Sequence, residues 1–117
     1  MKPTAYQLAR EKEIDRIKKS YVVFDVPLRL RRHIEEAISS DFWDFFDNCD
    51  GCTLVQERWA SSYFPPCVVH DYLRQNRIGH PLDHDLIFKD LMEAYKLPKW
   101  EIWRNFMIVT GKHTRGS

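Results

Sequence analysis

A mainly α domain is what this sequence predicts, on three observations. Prolines at 27, 66 and 98 each precede a run whose apolar residues recur every three or four positions, the spacing of one helix face. Gly79-His80-Pro81 stops one such run and starts the next within a short turn, so the two flanking helices should pack antiparallel. Strand-prone character is confined to Tyr21-Val22-Val23-Phe24, a short run ended by Pro27.

The 117 residues suit a single domain with one core. Within it we expect an N-terminal helical arm and short extended segment over 1–26, a core over 27–110 and a disordered tail over 111–117. A net charge of +1 gives no global field, so nucleic acid is not an expected partner. Four Trp, five Tyr and seven Phe argue against disorder. No apolar run is long enough for a transmembrane segment, and residues 1–20 lack the apolar stretch of a signal peptide. The chain as encoded is therefore expected in the cytoplasm, or carried out by other means, for instance with a virion.

In chain order, residues 4–20 read as a charged helix with a loose apolar edge of Tyr6, Ala9, Ile14 and Ile17. Tyr21 to Phe24 read as a strand or an extended linker. A second helix is predicted over 27–46, with Leu30, Ile34, Ala37 or Ile38, Phe42 and Phe45 facing the core. Turn-forming residues break it at 48–51, and 53–64 read as a loop. A third helix runs from Pro66 to about Arg77, and a fourth over 82–96. On the fourth, Leu82, Asp85, Phe88, Met92 and Tyr95 share one face, which sets a carboxylate inside an apolar stripe. Such a group needs a partner, because uncompensated burial of a charge costs several kcal/mol. Antiparallel packing would bring His70 to it. The last helix, from Pro98, is apolar on two sides: Trp100, Trp103 and Met107 on one, Ile102, Phe106 and Val109 on the other. Most of it is expected in the core. His80 should cap a turn and His84 should face solvent.

Two chemistries compete for the same residues. In the first, His70 is a general base oriented by Asp85, while Asp50, Asp71 and the Gly51 carbonyl offer oxygens to calcium, a hard cation that takes six to eight of them. Neighbours on a helix lie about 100° apart, so His70 and Asp71 can serve different tasks. In the second, Cys49-x-x-Cys52 and Cys67-x-x-His70 supply a structural Cys₃His zinc site. His70 cannot be both a zinc ligand and a base.

Asp50-Gly51-Cys52-Thr53, then Pro66-Cys67-Val68-Val69-His70-Asp71-Tyr72, then Asp85-Leu86-Ile87-Phe88 together resemble the prokaryotic phospholipase A2 family. They are also similar to small phage-borne proteins that keep a His-Asp-Tyr-Leu-Tyr type of helix. The first resemblance implies a phospholipase A2-like pair of antiparallel helices with additional packing helices. It implies calcium-dependent hydrolysis of the sn-2 ester of glycerophospholipids, with a phospholipid membrane interface as substrate. His70 and Asp85 would be the catalytic pair, Asp50, Gly51 and Asp71 the calcium site, and Cys52–Cys67 a disulfide. The rival expectation is a catalytically silent interaction or virion protein on the same scaffold, with a phage or host protein as partner and zinc binding as a variant.

Overall fold

The structure, a computed structural model, describes residues 2–49 and 63–114, the last three of these without their side chains. They form six helices: α1 (Ala5–Val23), α2 (Leu28–Ser39), α3 (Phe45–Asn48), α4 (Pro65–Gln75), α5 (Pro81–Ala94) and α6 (Lys99–Thr114). Among the described residues there is no strand, and the mainly α expectation holds.

α1 starts at Thr4, whose side chain accepts from the Gln7 amide while Gln7 reaches back to the Thr4 amide, a reciprocal cap. The strand-prone run at 21–24 is its last turn rather than a strand or linker. Tertiary anchors override the local preference. Ser20 Oγ lies 2.8 Å from the buried Tyr95 hydroxyl, and the Tyr21 ring packs under the Arg31 guanidinium. Val22 and Val23 are exposed and meet no partner strand.

α2 buries Leu30, Ile34, Ala37 and Ile38, as its spacing predicts, but ends at Ser39 instead of near 46. Short polar side chains supply an alternative to helical hydrogen bonds there. Ser40 Oγ accepts from the Trp43 amide, and Asp44 caps α3 by accepting from the Phe46 amide. Phe42, expected in the core, is left exposed by this break. Asp44 also accepts from Tyr6 Oη and from Arg10 Nε, tying α3 to α1.

The core is layered, with α4 packed on α2 and α5, and α5 packed on α6. Ile34, Ala37, Phe45, Val69, Leu91, Met92 and Tyr95 are fully enclosed. Leu82, placed by its spacing on the inner stripe of α5, is exposed at the first turn. α6 buries Ile102 and Val109 and leaves Trp100, Trp103 and Met107 outside; it also continues through Gly111 to Thr114, where a disordered tail was expected.

Three helices end in the same way. Asp25, Arg77 and Lys96 have φ of 51°, 53° and 63°, the left-handed region that glycine usually fills at a helix end. Each is flanked by a pair of crossed amide bonds. At the end of α4, Ile78 N donates to Leu73 O and Arg77 N to Arg74 O. The residue after each turn is apolar and goes inward: Val26, Ile78 and Leu97. A non-glycine residue in this conformation costs about 1–2 kcal/mol, partly offset because glycine has more backbone freedom to lose. Arg77 is exposed, so Arg77→Gly should stabilise the fold by about 0.5–1 kcal/mol in urea titrations, whereas Arg77→Ala should not.

Candidate active site

α4 is launched by Phe64 at the cap and prolines in its first turn, where their missing amides would have had no helical partner. It is buried on nearly every side. Only Asp71, Arg74 and Gln75, spaced i, i+3, i+4, form a partly open stripe. His70, one residue before Asp71, turns inward towards α5.

α5 is launched at the opposite end of the short turn by His80, whose Nδ1 accepts from the Leu82 amide, so this histidine caps as expected. One turn further on stands Asp85, with 1% of its surface exposed. Its Oδ1 lies 2.8 Å from His70 Nε2. Phe88, the next inner residue of α5, lies against the imidazole with ring centroids 4.8 Å apart. The ring is thus held at its edge by a carboxylate and on its face by a phenyl group.

The electrostatics have two opposing parts. Burial lowers the His70 pKa from its ordinary 6.5, while the hydrogen bond and charge of Asp85 push the other way, and burial wins. Arg74 and His84 add smaller downward pushes. The ring is therefore neutral at neutral pH. In the tautomer that suits this contact, Nε2 carries the proton and donates it to Asp85 Oδ1, which leaves the lone pair on Nδ1. No hydrogen bond to Nδ1 is formed among the described residues.

Asp71 stands on the other side of the helix edge, half-buried. Its Oδ2 accepts from Cys49 Sγ at 3.1 Å. The end of α3 is further fixed to α4 through Gln75, which donates to Asn48 O and accepts from Trp43 Nε1. Residue 49 is therefore held beside Asp71. Asp50, Gly51 and Cys52 lie outside the described residues. Across that gap the chain resumes at Tyr63, whose hydroxyl donates to Phe46 O.

Cys67 is disulfide-bonded, and Cys49 is not in a disulfide. Zinc is ligated by thiolates, so in this oxidised form Cys67 has no thiolate to contribute to a Cys₃His set. His70, for its part, has Nε2 committed to Asp85. Among the described residues, no three His, Cys, Asp or Glu side chains converge on one metal position. His84, expected in solvent, is buried. Its Nε2 bonds the Ile78 carbonyl, and its Nδ1 has no hydrogen-bond partner.

Comparisons with protein-family models, curated proteins and solved structures find no match to this chain. The chemistry has to be read from the residues themselves. A neutral imidazole, oriented by a buried acid and shielded by an aromatic ring, is equipped to accept a proton at Nδ1. A separate carboxylate one residue away can face a cation. Two features had no signal in the sequence: the Cys49–Asp71 contact, which joins distant segments, and the burial of His84.

The pair makes two predictions. In Asp85→Asn the carboxylate that raises the His70 pKa is gone, so the ring should titrate lower still, measured by NMR of the imidazole protons. A resonance that moves upward would refute the assigned balance. The second concerns stability. Because the folded-state value lies below that of the unfolded chain, protonation costs more in the fold. Stability should be complete above about pH 6.5 and should decline as pH falls through the lower folded-state value. His70→Gln should flatten that decline in urea titrations across the acid range.

Proposed function

We propose that the protein is a calcium-dependent, phospholipase A2-like hydrolase of glycerophospholipid esters. The observation that carries this reading is the 2.8 Å contact between His70 Nε2 and Asp85 Oδ1, made between neighbouring helices in a buried seam. A structural histidine could be held by any acceptor. An acid at 1% exposure, set against Nε2 of a neutral ring, is the arrangement that acid–base work needs.

In the proposed reaction, Nδ1 of His70 takes a proton from water as its oxygen attacks the sn-2 ester carbonyl. Asp85 keeps Nε2–H aligned and stabilises the imidazolium that forms. When the tetrahedral intermediate collapses, the ring returns the proton to the departing glycerol oxygen. The products are a fatty acid and a lysophospholipid, and the histidine is restored. Asp71 fits a calcium site by chemistry, offering carboxylate oxygen on the open stripe of α4 beside residue 49. Asp50 and the Gly51 carbonyl would complete the protein's share. When bound there, calcium supplies positive charge for the oxyanion developing at the carbonyl.

The disulfide at Cys67 supports an oxidising place of work, in keeping with a hydrolase released from a virion or by lysis rather than one acting in the cytoplasm.

The test is hydrolysis of phosphatidylcholine in mixed micelles. Fatty-acid release should require calcium and stop with a calcium chelator. Loss of a general base is worth about 10²–10⁴-fold, so His70→Gln should fall by at least the lower figure while keeping its helical circular dichroism. Asp85→Asn should retain more activity than His70→Gln, because it disturbs the orientation of the base without removing it. Equal turnover by wild type and His70→Gln would end the base assignment.

A further inference from the structure

The outer face of α6 stands largely exposed. Trp100, Trp103 and Met107, spaced i, i+3 and i+7, are 67%, 56% and 65% exposed. The inner face of the same helix carries Ile102, Asn105 and Val109, which are buried. On α5, Leu82 and Leu86 are also exposed, and Lys89, one turn beyond Leu86, places its ammonium 5.9 Å from the centroid of the Trp103 ring. Lys89 thus bridges the two exposed rows. Two tryptophans on one open helix face are costly to leave in water, and indole is the side chain best suited to a boundary between apolar and wet surroundings.

Charge on this part of the chain selects among occupants. From residue 96 onward the sequence carries Lys96, Lys99, Arg104, Lys112 and Arg115 against Glu101 alone, in a chain with a net charge of only +1. Lys96, Lys99 and Arg104 are exposed beside the tryptophans. Of the acids on α5, Glu93 is paired with Lys89 at 3.2 Å and Asp90 with Arg29 at 3.4 Å, which leaves Asp83, exposed at the first turn beside Leu82. A second copy of this chain seated on the face would oppose these cations with its own. An apolar surface rimmed by phosphate would answer both features: acyl chains and glycerol backbones take the indoles, and anionic headgroups take the lysines and arginine.

We infer that the Trp100–Trp103–Met107 face of α6, extended by Leu82 and Leu86 of α5, docks on the surface of an anionic phospholipid bilayer. This deepens the hydrolase reading and rests on it for the purpose of docking, since α5 is also the helix that carries Asp85. The binding step itself involves neither His70 nor calcium.

The experiment is therefore done on His70→Gln protein in chelator, where hydrolysis is off, with vesicles of phosphatidylcholine containing phosphatidylglycerol or of phosphatidylcholine alone. Sedimentation should show binding to the anionic vesicles, weakened by high salt. Tryptophan emission should shift to the blue and be quenched by acyl-chain-brominated lipid. Removing an indole from the interface should cost about tenfold in partitioning, so Trp100→Ala/Trp103→Ala should bind far more weakly with an unchanged melting temperature. Lys99→Glu/Arg104→Glu should lose about fivefold or more for each position, from the usual contribution of a cation near an anionic surface. Failure to bind anionic vesicles, or equal binding by the double-alanine variant, overturns the proposal. So does a wild-type dimer in solution that the tryptophan substitutions dissolve, which would assign the face to a second copy. Hydrolysis lost in His70→Gln with vesicle binding intact separates this inference from the catalytic one.

Discussion

A carboxylate enclosed between two helices fixes what the middle of this protein must be. Asp85 is 1% exposed, so its charge has to be answered by a donor that arrives from another element. His70 is that donor, and it can reach only if α4 and α5 run side by side with their inner faces in register. Phe88 then has to lie on the imidazole, and the aliphatic residues around it close off water. Replacing His70 removes a charge-assisted hydrogen bond from a buried carboxylate, which costs more than an exposed pair would. The seam is therefore specific as well as apolar.

Much of this was readable in the sequence. Prolines at helix starts, the Gly79-His80-Pro81 turn and the Asp85-Phe88-Met92-Tyr95 stripe point to the antiparallel pair, and the pair points to the His70–Asp85 contact. Helix ends were harder. The run at 21–24 looks strand-prone by residue type, yet Ser20 and Tyr21 are held by Tyr95 and Arg31, partners that no local pattern reveals. The α2 stop depends on side-chain caps from Ser40 and Asp44, which compete with an otherwise continuous apolar period. The left-handed ends at Asp25, Arg77 and Lys96 carry no glycine, so the usual mark of such an end is missing. Their signal is instead the apolar residue that follows and packs inward. Asp50, Gly51 and Cys52 lie outside the described residues, so of the proposed calcium ligands only Asp71, with Cys49 beside it, is placed.

The division of labour between His70 and Asp71 follows from helix geometry. Asp71 lies about 100° round the helix from the inward His70, which brings it to the one stripe of α4 that is not buried. His70 gains burial, a depressed pKa and a fixed tautomer; Asp71 keeps access to the open stripe shared with Arg74 and Gln75. The proposed roles follow the same division, since a base works best when dry and oriented, whereas a cation site would have to exchange its ion and admit water.

α5 serves both surfaces for the same geometric reason. Its inner stripe holds Asp85, Phe88 and Met92; its outer row holds Leu82, Leu86 and Lys89, continuous with Trp103 through the cation–π contact. The exposed outer row and the buried pair are thus opposite aspects of one helix, which packs on both α4 and α6. A surface bound at the outer row would sit at a defined distance from the seam without any moving part. Adsorption could then be tuned by substitutions at Trp100 or Arg104 while the environment of His70 stays as it is, because neither side chain enters the core that sets its protonation.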